Sequence, residues 1–395
     1  MLGNRAGRAL PPATATAPDS LHAILATGRQ DAWFGAQEHP ELTIRARITG
    51  LGKYNPERVL TNADLERMVE TSDTWIQERT GVRERRIAAD DETCSTLSYR
   101  AALQALEQAG VAPEELDLII VATCSPDGML PSVASYVQQQ LGASRAAAFD
   151  INATCVGFLT AVATASQFIE TGTYKKVLVI GAEVLSRIID WTDRVTCVLF
   201  GDGAGAVVLE ASDHGGALSF VLHSDGTGAR ALYAHGPAAR PSDGGTKALT
   251  PRPTTLDPAA CFYVQMDGKA IFKFAVQAME QATREALAAA NLTIDDIDLL
   301  VPHQANLRII DATAKRLSLP MERAMVNVDR YGNTSAASFP MALREAFEED
   351  RLHVGDTVVL VAFGGGLVWG AMVLEWAPVG KQRVAEAAHA ATGGS

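Results

Sequence analysis

The strongest constraint on the fold is an internal repeat, because the chain carries the same pattern twice at an offset of about 180 residues. Each copy has a helical stretch, then an acidic turn, then a short apolar run with strand character. The segments are 96–110 and 113–123 in the first copy, and 274–290 and 293–303 in the second. Asp117 and Asp298 enter the matching apolar runs. An ancient duplication explains this pattern and predicts two halves of similar architecture.

Short apolar runs alternate with amphipathic helical stretches along the chain. The run 176–182 is rich in Val, Ile and Leu, and a similar run at 357–363 again follows a helix. Runs of this kind are typical of strands that are buried on both faces of a sheet. The helical stretch 155–170 is apolar on nearly every side, which predicts that it is buried all round. We therefore predict an α/β fold.

Composition excludes several classes of protein. No apolar run reaches the ~18 residues that a membrane-spanning helix needs, and the net charge of −12 argues against a nucleic-acid surface. The five cysteines are irregularly spaced without a CxxC pair, which favours a reducing compartment, the cytoplasm, over a disulfide framework. We interpret Cys94, Cys124, Cys197 and Cys261 as structural. We expect neither a metal nor a bound cofactor.

The pattern divides the chain into four segments. Residues 1–43 lack a sustained hydrophobic period and are predicted to form a mobile extension. Residues 44–215 and 216–378 form the two halves, and the Ala/Gly-rich residues 379–395 are predicted to be a flexible tail. Residues 1–18 contain two arginines and no acid, as transit peptides do, but acidic residues follow and an apolar signal core is missing. Targeting is therefore the minor alternative for this extension.

Cys155 lies where an apolar strand turns directly into a helix, within the segment 150–161. A thiol at a helix start is close to the positive end of the macrodipole and to unpaired backbone N–H groups. These groups favour the thiolate and predict a lowered pKa and a reactive nucleophile. The alternative is a structural cysteine, because free cysteine often behaves as a small buried apolar residue.

Two further strand ends carry polar side chains. His303 ends the apolar run of segment 299–306, and Asn333 lies in the turn of segment 331–338. Because Cys155 and Asn333 occupy roughly corresponding places in the two repeats, pseudo-twofold packing would bring all three residues together at the joint between the halves. A thiol with two polar assistants is the arrangement expected for nucleophilic catalysis.

At these residues the chain resembles the β-ketoacyl-acyl-carrier-protein synthase III family, from about residue 44 to about residue 377. Five segments, two of which contain His303 and Asn333, resemble family signatures in the family order: 71–85, 199–206, 303–308, 331–335 and 363–370. The resemblance implies a thiolase-like fold, in which duplicated halves form five αβαβα layers. It also implies an acyltransferase that initiates type II fatty acid synthesis by condensing an acyl group from acyl-coenzyme A with malonyl-acyl carrier protein.

The resemblance also implies a role for each residue of the site. Cys155 carries the acyl group, and His303 and Asn333 donate hydrogen bonds to the enolate that forms when malonate loses carbon dioxide. The backbone N–H groups of Cys155 and Gly365 form the oxyanion hole. Glycine at 365 lets backbone approach the substrate without an intervening Cβ atom.

The same family pattern places the two substrates. Coenzyme A is a substrate here, with its adenine sandwiched by Trp75 and Arg79 and a further nucleotide contact from Arg194. Acyl carrier protein is acidic, so its docking needs a basic patch. That patch is assigned to Arg308, Lys315, Arg316 and Lys273, of which the first three share one helix face. Without the resemblance, these cations would be interpreted as solvated surface residues.

The acyl pocket is assigned to Leu130, Leu185 and Phe200. Some family members have an aromatic residue in place of Leu130 that closes the pocket of the partner in a homodimer, whose sheet continues across the interface. The segment 227–260 is longer than in the shortest members and is either functional or mobile. These departures leave a second function open, the priming of a polyketide or acyl transfer in secondary metabolism. A noncatalytic partner with the same fold is the third alternative.

Overall fold

A computed structural model describes residues 44–234 and 263–380 of the chain. The predicted extension 1–43, most of the segment 227–260, Cys261 and residues 381–395 lie outside the described residues. One tail boundary differs from the prediction, because Val379 is fully buried against the central core. Within the described ranges, every helix is too short or too polar to span a bilayer.

Nine α-helices lie in the described part of the chain. They are α1 (Asn62–Glu66), α2 (Asp73–Thr80), α3 (Cys94–Ala109), α4 (Val133–Leu141), α5 (Gly157–Glu170), α6 (Gly268–Ala289), α7 (Leu307–Arg316), α8 (Val328–Tyr331) and α9 (Ser338–Glu348). Hydroxyl or carboxyl side chains cap many of their N-termini. The Thr93 hydroxyl at the start of α3, for example, accepts from the Thr96 N–H group, which satisfies one of the unpaired donors of the first turn.

The described strands form two main sheets and two short hairpins. They are β1 (Arg45–Tyr54), β2 (Arg58–Thr61), β3 (Glu84–Ile87), β4 (Leu118–Ala122), β5 (Ala147–Ile151), β6 (Lys176–Glu183), β7 (Gly203–Ser212), β8 (Gly216–Ser224), β9 (Leu232–Tyr233), β10 (Gln265–Met266), β11 (Leu299–Pro302), β12 (Thr357–Gly364) and β13 (Val368–Glu375). The first main sheet has the order β1-β7-β6-β4-β5, and the second has the order β11-β12-β13-β8. Both are mixed, because β4 and β6 are parallel and β6 and β7 antiparallel in the first, while β11 and β12 are parallel and β12 and β13 antiparallel in the second.

The elements stack in five layers. Helices α3 and α4 cover the outer face of the first sheet, and α6 and α7 lie outside the second. Helices α5 and α9 lie between the two sheets, where α5 contacts strands of both. The structure confirms the predicted α/β, thiolase-like arrangement. It also agrees with the predicted burial of α5, because no residue from Gly157 to Ser166 is exposed.

The repeat is visible in the topology. Leu118 and Leu299 begin β4 and β11, and Lys176 and Thr357 begin β6 and β12, so both pairs are 181 residues apart. Strand β5 of the first half has no counterpart in the second half. The residues that correspond to β5 form helix α8 instead, and the outer edge of β11 makes only an isolated bridge between Leu300 and Ala324.

The two halves approach closely at the joint because glycine lies in the facing strand. A Cβ atom at Gly181 in β6 would lie 2.8 Å from the carbonyl carbon of Ala336, just before α9. Real Cβ atoms almost never approach backbone at that distance, so the contact requires glycine. This close approach brings the end of β6 next to the turn that precedes α9, and the site is built at that junction.

Candidate active site

Cys155 lies in the short 3₁₀ turn Thr154–Val156, between the end of β5 and the start of α5. Thr154 has a φ angle of +48°, which is unfavourable for a β-branched residue and costs on the order of 1–3 kcal/mol. The sharp turn presents the cysteine at the joint between the halves. Strain of this kind persists only where the surrounding structure fixes the backbone.

The thiol itself is buried. Burial raises the pKa of Cys155 to about 12, although a hydrogen bond from the Ser335 hydroxyl opposes the increase. The prediction of a low pKa for Cys155 is therefore wrong. A helix N-terminus stabilises a nearby anion by only about 0.3–1 kcal/mol in most cases, whereas loss of hydration for a buried anion costs more.

His303 follows β11 directly, and its backbone N–H donates to the Val361 carbonyl at 2.8 Å. The imidazole is completely buried between the rings of Phe339 and Phe363. Neither ring nitrogen has a hydrogen-bond partner among the described residues. Burial lowers the pKa of His303 to about 3, so the ring is neutral at pH 7 and has one N–H group to donate.

Gln304, the next residue, fixes the loop that carries His303. Its amide group donates to the carbonyls of Pro302 and Met325, and its Oε1 atom accepts from the N–H groups of Asn327 and Val328. All four partners belong to the second half of the chain. The segment 303–308 was singled out in the sequence, but this supporting role of Gln304 was not predicted.

Asn333 lies in the segment between α8 and α9, beside Leu199. Its backbone N–H donates to the Leu199 carbonyl at 2.8 Å, and its side-chain Oδ1 accepts from the Ser335 N–H at 2.9 Å. This is the one hydrogen bond of the Asn333 side chain within the described part of the chain, so its amide NH₂ group has no partner there. Asn333 therefore offers a donor, as the resemblance implies.

Cys155, His303 and Asn333 line one cavity of about 100 Å³, together with Phe200 and Phe363. The structure thus brings together the three residues that lie at three different strand or turn ends in the sequence. The lining is mostly apolar, so donors in it are poorly hydrated, and hydrogen bonds to a bound oxyanion are correspondingly strong.

The glycine turn after β12 packs against the cysteine turn. The Thr154 hydroxyl donates to the Gly365 carbonyl at 3.2 Å, and a Cβ atom at Gly364 would lie 3.0 Å from the Cys155 backbone nitrogen. A side chain at position 364 would therefore crowd the Cys155 backbone N–H group. The close approach expected of the glycine turn is therefore present, and it is tightest towards Cys155 at Gly364.

A second cavity of about 160 Å³ also reaches Cys155. Leu185 and Phe200 of the predicted acyl pocket both line it, as do Cys124, Ser335 and Gly365. Leu130 lies elsewhere, on the surface with 88% of its area exposed. The structure therefore brings together two of the three predicted pocket residues within a single chain.

In the predicted nucleotide site, a guanidinium covers one face of the Trp75 ring. The Arg194 guanidinium stacks on the Trp75 ring, with its central carbon 4.6 Å from the ring centroid. Arg79 lies one helical turn after Trp75 and is exposed, and its backbone carbonyl accepts from the Asn306 side chain at 3.0 Å. Arg194 therefore lies against the tryptophan face, and the sandwich of an adenine by Trp75 and Arg79 stays a prediction.

The four predicted docking cations differ in their surroundings. Arg308 lies 5.3 Å from the ring centroid of Phe272, which lines that cavity, and Lys273 is exposed next to Phe272. Lys315 pairs with Asp311 at 2.6 Å, and Arg316 pairs with Glu280 at 2.5 Å. The basic character is therefore greatest around Arg308 and Lys273.

Both halves of the chain match a known protein family. Residues 149–226 match the family described as 3-oxoacyl-[acyl-carrier-protein] synthase III, and residues 287–376 match its C-terminal region. The β-ketoacyl-[acyl-carrier-protein] synthase III of Symbiobacterium thermophilum is 56% identical over 330 residues, 83% of this chain and 97% of that protein.

Solved structures give the same result. The β-ketoacyl-[acyl carrier protein] synthase III of Thermus thermophilus has a TM-score of 0.77 and 50% identity, and the match covers 84% of this chain and 99% of that one. A priming β-ketosynthase from a polyketide pathway has a TM-score of 0.76 and 36% identity, covering 84% and 96%. This chain belongs to the β-ketoacyl-[acyl-carrier-protein] synthase III family.

Proposed function

We propose that this protein is the condensing enzyme that initiates type II fatty acid synthesis. It transfers an acyl group from acyl-coenzyme A to Cys155 and condenses that group with malonyl-acyl carrier protein. The observation that carries the proposal is the convergence of Cys155, His303 and Asn333 on one apolar cavity, with both His303 ring nitrogens unpartnered among the described residues. Buried polar groups without partners are rare unless a ligand satisfies them.

In the first step, the Cys155 sulfur attacks the thioester carbonyl of acyl-coenzyme A. Negative charge develops on the carbonyl oxygen, and the N–H groups of Cys155 and Gly365 stabilise it. The bond from the carbonyl carbon to the coenzyme A sulfur then breaks, and coenzyme A leaves with a proton. Loss of one such donor typically lowers kcat by about 10²–10³, or roughly 2.7–4 kcal/mol.

In the second step, malonyl-acyl carrier protein enters the same cavity. Its carboxylate carbon leaves as carbon dioxide, and the electron pair of the broken bond forms a thioester enolate. His303 donates its ring N–H and Asn333 its amide NH₂ to the enolate oxygen. The enolate carbon attacks the acyl-Cys155 carbonyl, the carbon–sulfur bond breaks, and the 3-oxoacyl product leaves on the carrier protein with Cys155 regenerated.

Intact-protein mass spectrometry after incubation with a competing panel of acyl-coenzyme A thioesters tests this function. We expect one mass addition in wild type, His303→Ala and Asn333→Ala, and none in Cys155→Ala. Loss of acylation in all three variants would contradict the division of labour between thiol and donors. An acetyl addition would indicate ordinary fatty acid initiation.

A second function, the priming of a polyketide, is favoured by two observations. The cavity that contains Leu185 is of the size of an engineered cavity that binds benzene, about 150 Å³, so it has room for more than an acetyl group. The fold is also shared with a polyketide-priming β-ketosynthase. A preference for a longer or branched acyl group in the same panel would support this second function.

We propose further that the enzyme acts in the cytoplasm as a homodimer. The four described cysteines are all free thiols, in agreement with a reducing compartment. Strand β5 is an edge of the first sheet and includes the apolar Phe149 and Ile151. Unpaired edges of this kind usually pair or are covered, and pairing of β5 with its symmetry mate would continue the sheet. A monomer at all concentrations in sedimentation equilibrium would contradict the dimer.

A further inference from the structure

A buried carboxylate of α9, which the two-step mechanism does not use, is surrounded by four donors. Only 3% of Glu345 is exposed. Its Oε1 atom accepts from the Tyr331 hydroxyl at 2.6 Å and from the Lys53 ammonium at 3.1 Å. Its Oε2 atom accepts from the Asn327 amide at 2.9 Å and from the Arg330 guanidinium at 3.1 Å. A carboxylate has about four acceptor sites, so donors fill all of them.

Three of these donors lie in one short segment, 327–333, that connects the surroundings of His303 to Asn333. The chain leaves the outer edge of β11 at Met325, whose N–H group donates to the Leu300 carbonyl at 2.8 Å. It then forms α8 and reaches Asn333. The segment thus starts beside the strand that precedes one donor and ends at the other, so its shape sets the distance between the two donors.

Asn327 connects Glu345 to the loop that carries His303. Its side-chain NH₂ group donates to Glu345, and its backbone N–H group donates to Gln304 Oε1 at 2.8 Å. Gln304 is the neighbour of His303 and also accepts from the Val328 N–H group, which the start of a helix leaves unpaired. A displacement of Asn327 would therefore act on the residue next to the imidazole.

Tyr331 connects Glu345 to Asn333. The tyrosine is buried, and its backbone lies two residues before the asparagine. Between them, Gly332 has a φ angle of +64°, and a Cβ atom there would lie 2.6 Å from the Leu199 carbonyl oxygen. The same carbonyl accepts from the Asn333 N–H group. Asn333 is therefore held between Leu199 on one side and the hydrogen bond from Tyr331 to Glu345 on the other.

The first half has no acid at the corresponding helix position. Helices α5 and α9 begin 181 residues apart, at Gly157 and Ser338, so Thr164 corresponds to Glu345. The Thr164 hydroxyl donates to the Thr160 carbonyl of its own helix at 2.8 Å. At this position, the carboxylate therefore occurs only in the half that supplies both donors, where the equivalent of β5 is the helix α8.

We propose that Glu345 is a positioning residue of the condensation step. Without touching the substrate, it holds the side chains of His303 and Asn333 where the enolate oxygen needs them. Donors to an oxyanion are effective when they are fixed before the reaction, and a misplacement of about 1 Å can cost about 10²-fold in rate. This role rests on the proposed function, because an enolate forms only if malonyl-acyl carrier protein is decarboxylated.

The acylation step should be independent of this network. Cys155 is held by the turn between β5 and α5, against the glycine turn at Gly364. The four partners of Glu345 lie outside both turns, in β1 and in the segment 327–331. Loss of the Glu345 contacts should therefore slow condensation and leave acyl transfer unchanged, whereas a general loss of structure would reduce both rates.

Two variants and a control from the same helix test the role. Tyr331→Phe removes one hydroxyl and keeps the ring, and Glu345→Gln keeps the size of the side chain but replaces one acceptor oxygen with an NH₂ group. The matched control is Glu348→Gln. Glu348 also pairs with Lys53, at 2.7 Å, and it pairs with Arg344 at 2.8 Å; neither partner belongs to the segment 327–333.

Both steps are measured on each protein. The enzyme is acylated with the thioester that acylates wild type, freed of coenzyme A and mixed with malonyl-acyl carrier protein labelled in its free carboxyl group. We expect Glu345→Gln and Tyr331→Phe to be acylated at the wild-type rate and to release labelled carbon dioxide about 10- to 10²-fold more slowly. The control should follow wild type in both steps. Wild-type release of carbon dioxide in both variants, or equal slowing of both steps, would overturn the proposal.

A double variant separates positioning from a general effect on the fold. Because Tyr331 acts through Asn333, Tyr331→Phe should cause no further slowing in an Asn333→Ala background, although it slows the wild-type enzyme. Slowing by the same factor in both backgrounds would refute the path from Tyr331 to Asn333. If Glu345→Gln does not fold, because Lys53 and Arg330 lose a charged partner, the Tyr331→Phe results decide alone.

Hydrogen exchange tests the same network without any substrate. Peptides that cover residues 327–333 should exchange faster in Glu345→Gln and Tyr331→Phe than in wild type, and Glu348→Gln should exchange as wild type does. Unchanged exchange in both variants would contradict the positioning role. A wild-type enzyme that releases no carbon dioxide would instead contradict the proposed function, so the two failures are distinguishable.

Discussion

A buried neutral histidine should make this protein sensitive to acid. The pKa of His303 is about 3 in the folded protein and 6.5 when unperturbed. Between these values the unfolded chain binds a proton that the folded state rejects, so the free energy of unfolding falls as the pH falls. A pH of 4.5 is about two units below the unperturbed pKa. At 1.36 kcal/mol per unit, His303 then accounts for a loss of roughly 3 kcal/mol in the free energy of unfolding.

The variant His303→Asn removes this group and keeps a neutral polar side chain. Equilibrium urea unfolding at pH 7.0 and pH 4.5, followed by tryptophan fluorescence, gives the loss of stability for each protein. Carboxyl groups contribute equally to both, so the difference between the two losses isolates the imidazole. We expect wild type to lose about 3 kcal/mol more than the variant over this range.

The matched control is His214→Asn, which removes an imidazole whose side chain is 75% exposed. It should have the acid sensitivity of wild type. Equal losses in wild type and His303→Asn would refute the reasoning, because they would mean that His303 accepts a proton in the folded protein as easily as in the unfolded chain. The pKa of the folded-state ring would then be near its ordinary value of 6.5, and burial would not be what keeps the imidazole neutral.

Three further predictions address the substrates and the oxyanion hole. Arg194→Ala removes the predicted nucleotide contact, for which a cation–π stack of about 0.5–1 kcal/mol at an exposed site sets the scale, and should raise KM for acyl-coenzyme A about two- to fivefold; a changed kcat with unchanged KM in steady-state kinetics would contradict this. Arg308→Glu should raise KM for malonyl-acyl carrier protein at low salt, more than Lys315→Glu does, because Lys315 is already paired; equal damage to acyl-coenzyme A loading would instead indicate a structural defect. Gly364→Ala places a Cβ atom 3.0 Å from the Cys155 nitrogen and should slow acylation about 10²-fold with an unchanged circular dichroism spectrum, and wild-type stopped-flow rates would exclude this account of the oxyanion hole.

The parts of the fold that repeat were predictable from the sequence. Apolar runs and their entry residues recur at a constant offset, and Asp117 and Asp298 do enter matching strands, where each carboxylate accepts from a backbone N–H of the neighbouring strand. The missing counterpart of β5 was not predictable, because whether the segment after residue 327 forms a strand or the helix α8 depends on its packing against the first half.

The chemistry of the site was only partly predictable. Residue types at strand ends identified Cys155, His303 and Asn333, but the pKa of a thiol depends on which distant side chains bury it. The predicted low pKa of Cys155 failed for this reason. The stack of Arg194 on Trp75 was not predicted, because residues 119 positions apart meet only through tertiary structure.

The central claim is that one cavity performs acyl transfer and decarboxylative condensation with separate groups. The most direct test is a single turnover, in which acyl-Cys155 enzyme freed of coenzyme A is mixed with malonyl-acyl carrier protein labelled in its free carboxyl group. Wild type should release labelled carbon dioxide and the 3-oxoacyl product at equal rates, whereas His303→Ala and Asn333→Ala should remain acylated and release both about 10²–10³-fold more slowly. Wild-type rates of carbon dioxide release in both variants would show that these two residues do not stabilise the enolate, and would contradict the account.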